Sequence, residues 1–230
     1  MSRDRVNDLI RFYQTLSQIE MRVGGKRRLS ECDGRMDWPQ RGIYFFFETG
    51  EMRTGTGSGP RVVRVGTHSL TTASKTTLWN RLSQHKGTSA GGGNHRGSIF
   101  RLLIGDALVG RFPEAACSAW GRGSSATSDV RAHERELEAR VSAYVGAMPF
   151  LWLAIMDEPG PASLRGFIER NAIALLSNFE RPFVDPPSGD WLGWLCSRVR
   201  VRQSGLWNND HVDERYDPSF LDIMAELSAG

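Results

Sequence analysis

The hydrophobic and polar positions divide the chain into short strand-like and longer helix-like segments. Residues 42–48 and 61–66 are rich in aromatic and β-branched side chains, which favours two strands. The stretch between them is rich in glycine and threonine and predicts an antiparallel hairpin with a long connection. Residues 98–104 resemble another short strand. The apolar run at residues 150–155 predicts a buried central strand.

Other segments carry apolar residues at helical spacing. We expect helices over residues 6–23 and 130–144, a helix after Ser74, and a short helix near the end of the chain. The clearest periodicity lies in residues 163–179, where apolar side chains recur in an i, i+3, i+4, i+7 series. Ser74 and Ser163 are predicted to cap the helices that follow them.

Composition limits the classes of function without selecting one. The chain has 230 residues, enough for one substantial core, and a formal net charge of +3 with much of the positive charge carried by arginine. This balance permits a nucleic-acid partner. The three cysteines form no C-x-x-C pair, and no apolar run approaches the ~18 residues of a membrane span. With no apolar leader at the charged start, we expect a cytoplasmic protein without a membrane partner.

Three short motifs occur in a fixed order. The first strand begins Gly42-Ile43-Tyr44, the second ends Arg64-Val65-Gly66, and the helix that follows carries Arg81 and His85 one turn apart. In this order the segments resemble the GIY-YIG nuclease family. The resemblance covers less than half of the chain, in the ranges 42–48, 61–68, 76–87, 149–156 and 163–179.

The resemblance implies an α/β (α+β) fold with a small, mainly antiparallel central sheet flanked by helices. It places a nuclease domain at residues 41–183, with an insertion at about 98–147. Residues 1–40 are then an N-terminal helical extension, and residues 184–230 are a C-terminal extension packed on the domain.

The family also implies roles for individual residues. Phosphodiester hydrolysis needs a water that loses a proton, positive charge beside the anionic transition state, and a metal or an acid at the leaving oxygen. By resemblance, Tyr44 activates or orients the water, Arg81 clamps the phosphate, and His85 relays a proton or holds Tyr44. Glu169 matches the glutamate that binds Mg²⁺ or Mn²⁺, and Asn178 is the best match to a downstream asparagine.

Each of these residues also has an ordinary structural interpretation. Tyr44 stands among three phenylalanines and could simply pack in its strand. Arg81 could belong to a solvated basic helix face, and Glu169 could be an exposed helix residue beside two arginines. The ordered set of motifs is what favours the functional interpretation over these alternatives.

Arg64 is the main departure from the family pattern, because the second motif should begin with tyrosine. Tyr44 and Arg64 lie on neighbouring predicted strands. A guanidinium about 4–6 Å from a phenol favours the ionised phenol. We therefore hypothesise that Arg64 replaces the missing tyrosine in the active site by acting on Tyr44.

Four further basic residues are candidates for nucleic-acid contacts: His68, Lys86, His95 and Arg96. His68 follows the second strand, and the other three lie in or beside a glycine-rich stretch. The alternative is that His68 is a loop histidine bonded to the backbone and that the stretch is a mobile polar loop.

Taken together, the sequence predicts a Mg²⁺- or Mn²⁺-dependent endonuclease, most simply a DNA endonuclease of restriction or defence type, with RNA as an open alternative substrate. An endonuclease that cuts both strands symmetrically would need to form a homodimer or to act twice. One rival hypothesis is a catalytically inactive nucleic-acid-binding protein of the same ancestry. Another is an oligomerising protein that uses the helix at residues 6–23.

Overall fold

A four-stranded sheet forms the centre of the described part of the chain. The computed structural model describes residues 3–88 and 90–229. The strands are β1 (Arg27–Arg28), β2 (Gly42–Met52), β3 (Pro60–Gly66) and β4 (Pro149–Ala154). They lie in the order β1-β4-β2-β3, and each neighbouring pair is antiparallel. The predicted hairpin and the predicted central strand are therefore confirmed.

Helices cover both faces of this sheet, which confirms the predicted fold class. They are α1 (Arg3–Val23), α2 (Leu78–Lys86), α3 (Ile99–Arg111), α4 (Ser128–Ala147), α5 (Leu164–Leu176), α6 (Val199–Ser204) and α7 (Ser219–Ala229). None of the helices in the described residues is long and apolar enough to cross a membrane.

The strand predicted at residues 98–104 is wrong, because these residues begin α3. The hydroxyl of Ser98 accepts the backbone N–H of Arg101 and caps this helix, and apolar side chains at helical spacing face the core. A short apolar run has too few residues to separate a buried strand from a buried helix by periodicity. The expected cap at Ser74 is also wrong, since Thr77 caps α2 by accepting the N–H of Asn80.

Successive side chains of β2 point to opposite faces of the sheet and therefore enter two separate cores. Ile43, Phe45 and Phe47 enter one core together with α1, α5 and α7. Tyr44 and Phe46 enter the other core with α2, α3 and α4. The tyrosine of the first motif consequently lies on the same side of the sheet as His85 of α2, while Glu169 of α5 comes from the opposite layer.

The C-terminal segment covers the free edge of β3. The backbone N–H of Trp207 donates to the carbonyl of Val63 at 2.7 Å. The amide of Asn208 accepts the Val65 N–H at 3.2 Å and donates to the Val65 carbonyl at 2.9 Å. An edge strand that would otherwise present unpaired backbone groups is thus closed. The predicted domain boundaries at residues 41 and 184 stay predictions.

Two motif glycines allow close contacts at the strand ends. Gly66 pairs with Tyr44 across the hairpin, and a β-carbon at position 66 would lie 2.5 Å from Cζ of Tyr44. A β-carbon at position 42 would lie 2.6 Å from the carbonyl oxygen of Leu153. Side chains at these two positions would therefore displace the tyrosine ring or the neighbouring strand.

Candidate active site

A buried hydrogen-bonded chain links the first motif to α2 and α3. The phenolic oxygen of Tyr44 lies 2.7 Å from Nε2 of His85, and Nδ1 of His85 lies 2.8 Å from Oγ of Ser98. All three side chains are buried. The family resemblance implied that His85 holds Tyr44 or relays a proton, but it gave no reason to include Ser98.

The imidazole of His85 is held in its neutral form. Burial lowers the pKa of His85 well below its usual range, and the positive charges of Arg81, Arg64 and Arg101 lower it further. A neutral imidazole has one N–H donor and one acceptor nitrogen, so the two ring nitrogens of His85 have different roles in this chain.

Arg64 is a buried cation close to Tyr44 and His85. Its side chain is only 4% exposed, donates to the carbonyl of Trp207, and lies 4.7 Å from the ring centroid of Phe100. Burial lowers the pKa of Arg64, whereas the neighbouring Tyr44 raises it; Arg81 lowers it and Glu169 raises it. Arg64 is therefore close enough to interact electrostatically with Tyr44 and Glu169, and its action on Tyr44 stays a prediction.

Glu169 reaches the motif ends from α5. Its Oε1 accepts the backbone N–H of Thr67 at 3.0 Å, and the hydroxyl of Thr67 donates to the carbonyl of Gly42 at 2.8 Å. Burial raises the pKa of Glu169, and the nearby Arg64, Thr67 N–H, His211 and Arg81 partly offset this effect. The carboxylate is thus fixed beside both glycine motifs and is surrounded by positive charge.

Arg81 completes the cluster from the side of α2. Its guanidinium donates from Nη1 to Oε1 of Gln84 at 3.0 Å and to the carbonyl of Gly97 at 3.1 Å, and the residue is half-buried. Its positive charge lowers the pKa values of Arg64, His85 and Glu169. Arg81 and Glu169 are more exposed than Tyr44, Arg64 and His85, so the first two are nearer the solvent.

Asn178 is engaged elsewhere. It follows the end of α5, and its Oδ1 accepts hydrogen bonds from Arg5 at 3.1 Å and from the Val184 N–H at 2.9 Å. Its Nδ2 donates to the Val184 carbonyl at 3.2 Å. The side chain therefore secures the segment after α5, and a catalytic role for it stays a prediction.

The four candidate nucleic-acid contacts also have partners inside the protein. Nδ1 of His68 lies 2.9 Å from the Thr76 carbonyl, and Lys86 donates to the Cys32 carbonyl at 2.6 Å. The other two join acidic residues of α4: His95 bonds Glu138 at 2.9 Å, and Arg96 bonds both carboxylate oxygens of Glu134 at 2.7 Å. Their contacts with nucleic acid stay predictions.

Glu169 is the residue of this cluster suited to hold a divalent ion. The described residues contain no group of three or more His, Cys, Asp or Glu side chains that could hold a metal. Mg²⁺ is commonly bound by one or two carboxylates, with waters and substrate phosphates completing its coordination. A single fixed carboxylate therefore fits such an ion, and the metal stays a prediction.

Two contributions to this cluster come from residues that no motif indicated. The backbone N–H of Thr67 donates to Glu169, and His211, in the C-terminal segment, lowers the pKa of Glu169. His211 has a left-handed backbone with a φ of 64°, and its Nδ1 lies 2.8 Å from Glu214. Nothing in the sequence indicated that His211 would lie near Glu169.

Comparison with known proteins shows the family to which the chain belongs. A family model described as GIY-YIG domain matches residues 3–229. The chain belongs to the GIY-YIG domain family. No curated protein and no solved structure matches the chain. Membership of the GIY-YIG family suggests nuclease-type chemistry, and Arg64 is the point at which this chain departs from the family's second motif.

Proposed function

We propose that the protein is a metal-dependent endonuclease that hydrolyses phosphodiester bonds in DNA. The observation that supports this proposal best is the gathering of Tyr44, Arg64, Arg81, His85 and Glu169 at one end of β2 and β3. The cluster combines a phenol, two guanidiniums, a neutral imidazole and a carboxylate. These are the groups that water activation, charge stabilisation and ion binding require.

The proposed reaction is a single displacement at phosphorus. A water oxygen forms a bond to phosphorus while the bond to the 3′ oxygen breaks. The phenolic oxygen of Tyr44 orients that water, whose proton passes to solvent, and the 3′ oxygen takes a proton from solvent. The products carry 5′-phosphate and 3′-hydroxyl ends.

Positive charge supplies the main stabilisation in this proposal. Arg81, nearer the solvent, clamps the scissile phosphate through charge-assisted hydrogen bonds. Arg64, which is buried, interacts electrostatically with the phenol of Tyr44 and the carboxylate of Glu169. Glu169 would hold Mg²⁺ or Mn²⁺, which supplies further positive charge to the phosphate oxygens when bound.

A catalytically inactive nucleic-acid-binding protein is the second candidate. Two observations favour it: Arg64 replaces a motif tyrosine, and the Tyr44 side chain has no exposed surface. In that case Arg81 and the surrounding cations would bind phosphates without cleavage. Both candidates are compatible with a cytoplasmic protein and with a homodimer.

A plasmid assay with a matched charge control separates the two candidates. Supercoiled plasmid is incubated with wild type, Glu169→Gln and Glu136→Gln, with Mg²⁺, with Mn²⁺ or with chelator. Glu136 is exposed on α4, so its substitution removes the same charge away from the cluster. We expect nicked or linear product with wild type and Glu136→Gln only when metal is present, and none with Glu169→Gln.

The ends of any product are then mapped, and duplex binding is measured in parallel. Retention of DNA binding by Glu169→Gln together with lost cleavage supports the role of Glu169. Wild type that binds duplex but leaves plasmid intact under all metal conditions supports the inactive binding protein. Equal cleavage by wild type and Glu169→Gln contradicts the metal assignment.

A further inference from the structure

The guanidinium of Arg81 is hydrogen-bonded through only one of its nitrogens. Nη1 donates to Oε1 of Gln84 at 3.0 Å and to the carbonyl of Gly97 at 3.1 Å, which uses both of its hydrogens. Nε and Nη2 have no hydrogen-bond partner in the part of the chain that the structure describes, and Nε is buried. Since a guanidinium has five N–H donors, three donors of Arg81 remain: Nε–H and both hydrogens of Nη2.

Two of the remaining donors form an edge that matches a phosphate. In a planar guanidinium, the Nε–H bond and one N–H bond of Nη2 run side by side, whereas Nη1 lies on the other side, next to Cδ. Two parallel N–H donors fit two oxygens of one phosphate, which makes such pairs both strong and geometrically specific. The contacts at Nη1 therefore hold Arg81 without using its Nε–Nη2 edge.

The two acceptors that hold Nη1 come from different segments. Gln84 lies three residues after Arg81 on α2, at exposed positions of the same helix face. A guanidinium cannot accept a hydrogen bond, so the Gln84 atom that contacts it is the amide oxygen. The Gly97 carbonyl belongs to the segment before α3, where the neighbouring Arg96 bonds both carboxylate oxygens of Glu134. The guanidinium is thus held between its own helix and a separately anchored segment.

We propose that Gln84 is a positioning residue for substrate binding: with the Gly97 carbonyl, its side-chain oxygen holds Nη1 of Arg81 so that the Nε–Nη2 edge binds one phosphate of a nucleic-acid backbone. This inference rests on the proposed function. It also deepens that function, because it names the edge of Arg81 that binds the phosphate and the residue that directs it. In this role Gln84 acts only through Arg81.

Holding Arg81 before substrate arrives favours phosphate binding in two ways. A long side chain that is already fixed loses less conformational freedom when its ligand binds. In addition, the buried Nε–H lacks an acceptor, which is an unfavourable state that a phosphate oxygen relieves. Without the Gln84 oxygen, we expect the guanidinium to rotate more freely and to bind phosphate more weakly.

Affinity for a short DNA duplex, measured with chelator so that no cleavage occurs, tests this role. Gln84→Met keeps the length of the side chain and removes the acceptor. We expect Kd to rise about 3- to 10-fold, as for the loss of one hydrogen bond, with unchanged urea unfolding. Gln14→Met makes the same exchange at an exposed position of α1 and should keep the wild-type Kd. Equal Kd values for both variants would overturn the inference.

A double-mutant cycle separates positioning of Arg81 from a direct contact of Gln84 with DNA. If Gln84 acts only through Arg81, Gln84→Met should have no further effect on Kd in an Arg81→Met background. An equal rise in Kd in both backgrounds would show that Gln84 acts independently, and it would overturn the assignment as a positioning residue.

Spectra of the full chain test the hold on Arg81 without any reaction. The protein is labelled with ¹⁵N-arginine, and Arg81→Lys identifies the signals of Arg81. We expect separate Nη1 and Nη2 signals, the sign of slow rotation, in wild type and in Gln84→Glu, which keeps an acceptor, and averaged signals in Gln84→Met. Added duplex should shift the Nε–H and Nη2 signals. Equal rotation in wild type and Gln84→Met, or a shift confined to Nη1, would overturn the inference.

Failure of this inference and failure of the proposed function give different results. A wild-type protein in which Gln84 restricts the rotation of Arg81, but which neither binds nor cuts DNA, contradicts the proposed function. A protein that binds and cuts DNA equally well as wild type and as Gln84→Met overturns the role of Gln84 alone.

Discussion

Arg64 illustrates how one residue of a family motif can change while the residues around it stay together. A buried guanidinium stands where the family's second motif has tyrosine, and it keeps contact with Trp207 and Phe100. Its Nε has no hydrogen-bond partner in the described structure. A buried cation that lacks full pairing costs free energy, which is typical of groups retained for chemistry and not for stability.

Arg64→Met tests this interpretation. Methionine keeps the aliphatic contact with Phe100 and removes the charge beside Tyr44 and Glu169. We expect single-turnover cleavage to fall about 10²- to 10³-fold, the usual cost of losing one charge-stabilising donor. Urea unfolding should show little loss of stability. Arg122→Met, at an exposed position, serves as the control; equal cleavage by both variants would contradict the role of Arg64.

His68 is expected to stay neutral throughout the usual assay range. Burial lowers its pKa to about 4; the Thr76 carbonyl raises the pKa, and Arg165 and Arg81 lower it. A histidine with a lowered folded-state pKa resists protonation, so the free energy of unfolding should decrease as pH falls from about 6.5 toward 4. An NMR titration of wild type against His68→Gln measures the midpoint. A midpoint near 6.5 would be inconsistent with this environment.

At the scale of elements, an ion pair fixes the junction between β4 and α5. Arg165 is fully buried, pairs with Asp157, and donates to the His68 carbonyl at 2.7 Å. Burial opposes ionisation of Asp157, but hydrogen bonds from Ser163 and Arg165 outweigh it and hold the pKa of Asp157 below its usual range. This junction sets where α5, and therefore Glu169, begins its approach to the sheet.

Asp157→Asn should weaken that junction. We expect the free energy of unfolding at pH 7 to fall by about 2–4 kcal/mol, because Arg165 is left buried without its counter-ion. A lowered carboxyl pKa contributes stability above its unfolded value of about 3.9 that is lost as pH falls through the folded value. Denaturant unfolding at several pH values should therefore show a smaller acid dependence in the variant. The same pH dependence in both proteins would argue against the pair.

At the scale of the whole molecule, folding brings segments that are far apart in the sequence to one cluster of side chains. The C-terminal segment pairs with the edge of β3, and its Trp207 carbonyl accepts the Arg64 side chain. The hydroxyl of Ser177, just beyond α5, donates to the Val212 carbonyl at 2.6 Å. The C-terminal segment is thus fixed to both layers that supply the site.

Asn208→Ala tests this coupling. It leaves the N–H and carbonyl of Val65 without their partners, so we expect a loss of about 1–3 kcal/mol in unfolding free energy. Cleavage should also fall, because the acceptor of Arg64 is displaced. Asn209→Ala is the matched control, since the Asn209 side chain donates to its neighbour Asp210 at 3.1 Å. A destabilised Asn208→Ala protein with full activity would show that the segment stabilises the fold alone.

Sequence patterns over short stretches of the chain predicted several of its strands and helices correctly. The hairpin, the central strand and the helix from Ser163 follow from periodicity and turn residues, and the family resemblance implied that His85 acts with Tyr44. Periodicity failed at α3, where a short apolar run is ambiguous. The contacts of Arg64 with Trp207 and of Thr67 with Glu169 join residues more than 100 positions apart, and no local pattern encodes them.

The two glycines of the motifs have a consequence for how diverged relatives are recognised. Gly66 leaves room for the ring of the opposing tyrosine, and Gly42 leaves room for the neighbouring strand, so both are required by shape. The described residues show no such steric requirement at position 64, which in this chain holds arginine in place of the motif tyrosine. A search for remote members should therefore weight the paired glycines above the second tyrosine, because steric requirements persist after a neighbouring motif residue has been exchanged.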